Sequence, residues 1–434
     1  MTTDPIEELL AGDFRLSETG KLLHCPIRHI GIEDSFDGGE HELLQALGFP
    51  SSPTIVCDPN TYDALAKRVA TAIPGAKLVV VDAPKADDVT AEWLFDQTRH
   101  AEALVAVGAG TINDLVKHVS NRRRQPYVVF ATAPSMNGYV TATASISLNG
   151  EKLSLPARPP LGAFFDLSVL AGAPRRLIRA GVGDSLCRCT VEIDWLLSHE
   201  LLDTDYMATP FAIQSRDESQ LLGHIGALEG GDLGAIKTLV RLLVLGGLGM
   251  LIAGNSQSGS QGEHLISHYI DMMHRPHPGS LHGEQVGLAT RTMAALQHHV
   301  LAHENPPVLA ETTVDLEDLS MRFGSQSASC HAAMTKKALA GDHLQALNQR
   351  LAARWPTMRA MLKSKAPPLD QLQTALDLAG IARDPENLGI EPAFYKQAVL
   401  HARELRDRFT MLDLAADTGM LGSFVNERLA ESTR

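Results

Sequence analysis

The sequence predicts an N-terminal α/β domain built on a parallel sheet, followed by an all-α C-terminal domain. Three observations carry that prediction. Short apolar runs rich in β-branched residues alternate with segments of helical spacing as far as Leu170, the pattern of a parallel sheet with helices on its faces. After Ala173 the strand pattern fades and a periodicity of about 3.6 residues takes over up to Arg434. The length, 434 residues, exceeds one ordinary domain of about 100–200 residues. The boundary is expected near Leu170–Pro174, dividing the chain into residues 1–172 and 173–434.

The elements follow in order. "TIVCD" (Thr54–Asp58) reads as a strand, and "PNTYDALAKRVATAI" after it as a helix. "KLVVVD" (Lys77–Asp82) is a second strand, and "TAEWLFDQTRH" a helix with one apolar face. "ALVAVG" (Ala103–Gly108) is a third strand that runs through a glycine turn into the helical "AGTINDLVKHVS". "YVVFAT" (Tyr127–Thr132) is a fourth strand. A hairpin is expected from Ser145–Leu148 and Lys152–Leu155 around Asn149-Gly150, and "GAFFDL" is a further strand. Pro174 marks a helix start. The end, Glu431–Arg434, is expected to fray.

Composition narrows the function classes. The net charge of -13 argues against a nucleic-acid partner, which needs clustered Lys and Arg. The one basic run, Arg122, Arg123 and Arg124, reads as a solvated loop after a helix. Five cysteines without a C-x-x-C pattern point away from a disulfide framework and toward a reducing, cytoplasmic compartment. Cys187 and Cys189 read as buried residues and not as ligands. "MTTDPIEELL" has the composition of no signal peptide. The most apolar stretch, Leu242–Ala253, falls short of the ~20 residues of a membrane span. It reads as a buried helix whose Gly246, Gly247 and Gly249 permit close packing. A small-molecule substrate and a homo-oligomer are expected, with neither nucleic acid nor a membrane span.

Four stretches carry chemistry. In "VGAGTINDL", a strand ends in Gly108-Ala109-Gly110 and a helix begins near Thr111, so backbone N–H groups could meet a pyrophosphate. Asn113 stands where a third glycine would complete the dinucleotide fingerprint. "ATAPSMNGY" places Thr132, Ser135 and Asn137 at the end of the next strand. Asp58 ends the first strand, where a carboxylate either caps a helix or binds an adenosine ribose. Asp184 in "AGVGDSL", His264 in "GSQGEHLISHYIDM" and His282 in "SLHGEQVGL" are candidate metal ligands. One carboxylate and two imidazoles suit Zn, Fe or Ni and leave a coordination position open. Spacing alone does not choose between His264 and His268, which share a helix face. His274 and His277, in a Pro-rich loop, read as solvated.

Taken together, "VGAGTINDL", "ATAPSMNGY", "AGVGDSL", "SGSQGEHLISH" and "HGEQVG" resemble, in that order, the motifs of the glycerol-1-phosphate dehydrogenases. That family lies within the iron-containing alcohol dehydrogenase and dehydroquinate synthase-like superfamily. The match runs from Thr54 to Gly287. The resemblance implies a Rossmann-like nucleotide-binding domain, a helical domain that holds metal and substrate, and an active-site cleft between them. It implies NAD- or NADP-linked interconversion of dihydroxyacetone phosphate and sn-glycerol 1-phosphate with one divalent metal. It implies Asp184, His264 and His282 as the metal ligands. Gly108, Gly110, Thr111 and Asp114 would line the cofactor turn, with Thr132 and Ser135 on the nicotinamide side. His268 would contact the substrate or support the metal, and Glu263 would support His264 or face the cofactor.

Two residues depart from the family pattern. Asn137 stands where the family carries Asp, keeping the shape and losing the charge. Arg188 replaces a common Lys; it would grip a phosphate or pair with a carboxylate. Asn137 and His268 are the expected catalytic residues, and Asn137, Arg188 and His268 the expected substrate contacts. Three other functions share the constellation: a dehydrogenase of another polyol such as glycerol, a dehydroquinate-synthase-like lyase, and a silent homologue that binds nucleotide or metal.

Overall fold

The computed structural model describes residues 4–148 and 151–428, so the Asn149-Gly150 turn and the Glu431–Arg434 end lie outside the described residues. The chain divides into two compact units, Met1–Ser185 with Ala208–Asn255, and Leu186–Met207 with Ser256–Arg434.

The first unit is organised by a six-stranded sheet in the order β1-β8-β5-β4-β2-β3, with every pair parallel. Its strands are β1 (His29–Glu33), β2 (Thr54–Cys57), β3 (Lys77–Val80), β4 (Leu104–Gly108), β5 (Tyr127–Ala131) and β8 (Gly162–Asp166). All the strands anticipated from the sequence form. The one not anticipated is β1, whose "HIGIE" is short and only partly buried. The inner strands β4, β5 and β8 are buried along their whole length, which is why they read as continuous apolar runs. β6 (Thr143–Leu148) and β7 (Glu151–Pro156) form a separate antiparallel hairpin in which Ser145 faces Ser154.

Two features fix the ligand end of this sheet. The chain leaves β2 toward β3 but leaves β4 toward β5, so the connections diverge between the adjacent β2 and β4. Such a divergence opens a crevice at the C-terminal strand ends. In addition, Gly108 and Ala131 are in register, so the turns after β4 and β5 emerge side by side.

Asp166 locks the opposite flank. It ends β8, caps the helix Leu167–Ala171 through the Val169 N–H, and accepts from Ser35, the Phe36 N–H and, at 2.6 Å, Arg68. Burial alone would raise its carboxyl, but hydrogen bonds from Ser168, Phe36 and Arg68 outweigh burial and hold it down to about 2. A carboxyl held below its unfolded value stabilises fully above about pH 4, and that contribution is lost as pH falls toward 2. Urea midpoints at pH 5 and pH 3 should therefore separate more in the wild type than in Asp166→Asn. An equal separation in the two proteins would remove Asp166 from this role.

Two expectations about this unit are corrected. Arg122 and Arg123 are not in a loop; they form the last turn of the helix Gly110–Arg123 and lie over the Phe95 ring at 4.3 and 3.7 Å. Arg122 also pairs with Glu92. The apolar stretch is not short either: the helix runs from Leu233 to Ala253, 21 residues, long and apolar enough by length and composition to cross a membrane. What marks it as internal is that 61% of that window is buried within the protein. A Cβ on its Gly247 would lie 2.5 Å from the Asn137 carbonyl oxygen, so the expected close packing is real.

The second unit is helical. Its main helices are Arg188–Leu202, Gly262–Met273, His282–Ala302 and Gly341–Lys365. They enclose a core that includes Leu197, Ile266, Met293, Trp355, Tyr395 and Phe424. The five cysteines of the chain are free thiols, and Cys187 and Cys189 are buried as expected. His274 corrects another expectation. It is buried, its Nδ1 donates to the Pro276 carbonyl, and its Nε2 is 2.8 Å from Glu391. His277 remains exposed beside Asp271.

Candidate active site

In the first unit the glycine turn and the following loop converge. Ala109 is the N-cap of the helix Gly110–Arg123 and has no side-chain cap, so the turn presents backbone N–H groups without an internal competitor from that side chain. Thr132 donates its N–H to the Gly108 carbonyl at 3.2 Å, joining the two turns. Ser135 lies 3.5 Å from the Tyr139 hydroxyl, which donates to the Ala133 carbonyl. Asp58, at the mouth of the crevice, caps its own helix: Oδ1 accepts from the Asn60 and Thr61 N–H groups at 2.8 and 3.0 Å.

Asp114 is turned toward the hairpin. One carboxylate oxygen accepts from the Ser145 N–H at 3.3 Å, the other from Asn113, and Lys117 is 3.8 Å away. Lys117 is fully buried and donates to the Gly138 and Thr143 carbonyls and to Thr141 Oγ1. Burial pulls its ammonium down to about 8 against the attraction of Asp114. This pair therefore ties the helix that starts at the glycine turn to the short helical turn Gly138–Val140 and the hairpin.

Asn137 precedes that turn, and its backbone N–H donates to Asp184 Oδ2 at 2.7 Å. The link between these two positions is thus made by the main chain. It does not depend on whether residue 137 is Asn or Asp, which explains how the departure from the family residue leaves this contact intact. Asp184 is buried near the end of the helix Arg175–Leu186.

In the second unit three histidines gather. The rings of His264 and His282 are 5.1 Å apart, those of His268 and His282 6.1 Å, and those of His264 and His268 6.3 Å. Helical spacing brings His264 and His268 to one face of Gly262–Met273, and His282 begins the neighbouring helix. Hydrogen bonds place the Nδ1 protons of two of them, His264 and His282. His264 Nδ1 is 2.8 Å from Glu263 Oε1, and a carboxylate only accepts, so Nδ1 carries the hydrogen. Ser267 donates its single hydroxyl proton to Gln285 at 2.8 Å, so His282 Nδ1, 3.1 Å away, is the donor to it. Both rings are then in the tautomer whose lone pair is on Nε2, the arrangement that suits a metal ligand. The donor set fits a divalent transition metal.

Glu263 is fully buried and also accepts from the Gln261 N–H and the Thr190 hydroxyl. Burial would raise its carboxyl, but His264 and the Gln261 N–H hold it below the ordinary value. Cys187, Glu263 and His264 offer ligand atoms within 4.8 Å of one another. The Glu263 oxygens are already occupied by these three donors, so Glu263 orients His264. Arg188 lies 3.7 Å from the Glu192 carboxylate one turn on, the pairing alternative to a phosphate contact.

Several supporting residues were not legible in the sequence: Lys117, Thr190, Asp194 and Gln285. Asp194, whose Oδ2 accepts from the Gly262 N–H, is pushed up to about 8 by burial and by the charge of Glu263. Gln285 lies within "HGEQVG", but its partner Ser267 is on another helix, and Lys117, Thr190 and Asp194 likewise act on elements distant in sequence.

Comparison with known proteins agrees with this architecture. A family profile for iron-containing alcohol dehydrogenase matches residues 32–174. A glycerol-1-phosphate dehydrogenase (NAD(P)+) of Bacillus velezensis is 29% identical over 411 residues, covering 90% of this chain and 93% of the relative. One from Pyrococcus furiosus is 32% identical over 258 residues, covering 58% and 74%. Among solved structures, sulfoacetaldehyde reductase from Bifidobacterium kashiwanohense in complex with NAD+ superimposes with a TM-score of 0.61 at 14% identity, covering 94% of this chain and 98% of that one. At that identity the likeness is one of fold.

Proposed function

The chain belongs to the glycerol-1-phosphate dehydrogenase family, within the iron-containing alcohol dehydrogenases, and from that premise we propose that it interconverts dihydroxyacetone phosphate and sn-glycerol 1-phosphate using NAD or NADP. The observation that carries this reading is the histidine cluster with both Nδ1 atoms committed as donors.

In the proposal, His264 and His282, together with Asp184, would hold one divalent metal, taken as Zn, Fe or Ni from the donor types. When bound, that metal supplies a Lewis acid that polarises the substrate carbonyl. The Gly108–Gly110 turn, Thr111 and the helix N-terminus receive the cofactor pyrophosphate, with Asp58 at the crevice mouth and Asp114 bracing the helix from behind. Thr132 and Ser135 would flank the nicotinamide. A bound reduced nicotinamide would supply the hydride for the carbonyl carbon, and His268 would deliver the proton to the carbonyl oxygen, so that the alcohol and the oxidised cofactor result. Asn137 orients the substrate by hydrogen bonding and holds Asp184 through its main chain.

The test is oxidation of NADH and NADPH by metal-reconstituted protein with dihydroxyacetone phosphate, dihydroxyacetone and a panel of aldehydes. The phosphorylated triose should exceed dihydroxyacetone in kcat/KM by roughly 100-fold or more, the scale set by losing a charged contact. Absence of net cofactor oxidation with every substrate would sink the proposal. A lyase that uses NAD transiently would give that result too, and is then revealed by product analysis with a dehydroquinate-synthase substrate.

A further inference from the structure

Arg408 differs from most of the arginines of its unit, which hold a carboxylate; Arg275 and Arg359 are exceptions too, and turn to the carbonyls of helix ends. Arg403 pairs with Asp413 and Asp417, Arg291 with Asp377, Arg322 with Glu404 and Arg188 with Glu192. The Arg408 guanidinium instead donates to the Ser260 carbonyl and, at 2.6 Å, to Ser256 Oγ. Among the described residues no carboxylate lies within ion-pair distance of it. Burial and the neighbouring Arg406 pull it down to about 10, and the more distant charges of Glu263 and Asp407 only partly offset them.

Its setting is built and firm. The Arg408 carbonyl accepts from Lys337, which is itself buried and paired with Asp413 at 2.8 Å. The loop that Arg408 grips, residues 256–260, runs directly into the helix that carries His264. Gln261 closes that loop by donating to the Gln257 carbonyl at 3.0 Å. Ser258, in the same loop, is 3% exposed, and its hydroxyl has no hydrogen-bond partner among the described residues. A half-buried guanidinium with no carboxylate in contact, and a buried hydroxyl without a partner, are both groups that a bound anion would satisfy.

We infer that Arg408 and the serine loop 256–260 form the anchor for the substrate's phosphate group, and that Arg408 determines the preference for phosphorylated over unphosphorylated triose. The inference rests on the reaction proposed above and adds the residue that selects its substrate. A guanidinium matches phosphate geometry with two parallel N–H donors, and serine hydroxyls complete the shell. Arg188, with Glu192 beside it, is already compensated. The 2′-phosphate of NADP is a second source of the same chemistry, and the test separates the two.

The experiment uses the metal-loaded enzyme and Arg408→Met. The KM for dihydroxyacetone phosphate should rise at least about thirtyfold, the lower end for removing one partner of a desolvated charge pair. The KM values for dihydroxyacetone, NADH and NADPH should stay within about threefold, because a merely structural role would move them together. Inorganic phosphate should compete with the phosphorylated triose in the wild type and lose that inhibition in the variant, while Arg408→Lys recovers part of it. If Arg408→Met does not fold, Ser258→Ala keeps the arginine and should raise the same KM by about three- to tenfold. An unchanged KM for dihydroxyacetone phosphate, a parallel rise with dihydroxyacetone, or a rise confined to NADPH would each overturn the inference. If the wild type turns over no phosphorylated triose, the functional proposal has failed. The anchor is then judged by binding of inorganic phosphate alone, and equal affinity in wild type and Arg408→Met overturns it.

Discussion

Replacing His264 with alanine should strip the protein of its metal and lower turnover by more than about 1000-fold, while the fold survives. Three features set that size. His264 is buried, so no water-exposed side chain can swing in to replace it. Its ring is fixed through Nδ1 by Glu263, and Glu263 in turn by the Gln261 N–H and Thr190, so the geometry is prepared before any ligand arrives. Removing the ring also leaves the Glu263 carboxylate buried without one of its three donors. The measurement is metal content after dialysis against a weak chelator, together with cofactor oxidation and the urea midpoint. Full metal retention and activity in His264→Ala would refute the assignment. Glu263→Gln should give an intermediate result, with metal affinity reduced about 10–100-fold, since it loosens the ring without deleting it.

Gly181→Ala should destabilise the protein by about 3 kcal/mol or more, opposite in sign to the usual effect of the exchange in a helix. Gly181 lies inside the helix Arg175–Leu186, where alanine would ordinarily add about 1 kcal/mol of stability. Here a Cβ would fall 1.7 Å from the Pro134 carbonyl oxygen and 2.8 Å from its carbon. Both are backbone atoms, so neither can rotate away. Helix and loop must separate, and the separation acts on the loop that runs to Asn137 and on the helix that carries Asp184, whose 2.7 Å hydrogen bond joins them. The variant should therefore also bind metal more weakly. Gly223, in the helix Ser215–His224, has nothing within 4 Å of its Cβ position and is the control: Gly223→Ala should be neutral or stabilising. A Gly181→Ala protein as stable as the wild type would show that this close approach is not maintained.

Periodicity and local motifs make part of this architecture readable from the chain alone. The parallel strands were legible because β4, β5 and β8 are buried on both faces and read as apolar runs, whereas the edge strand β1 is partly exposed and was missed. The glycine turn after β4 and the shared face of His264 and His268 were legible for the same reason, since each is fixed within one turn of chain. The residue types for a metal site were visible as well, but the choice of His264 rested on family resemblance.

Tertiary structure alone decided the rest, because those contacts join residues far apart in sequence. It set Asn137 against Asp184 through the main chain, turned Asp114 toward the hairpin, and buried Lys117 among carbonyls. It buried His274 and paired it with Glu391 where its Pro-rich surroundings suggested solvent, and it stacked Arg122 and Arg123 on Phe95. It also left Arg408 without a carboxylate in contact while Arg403 gained two. A charge or a hydroxyl shows in the sequence; whether it is compensated depends on what the fold brings within about 3–4 Å of it, the range over which hydrogen bonds and ion pairs act.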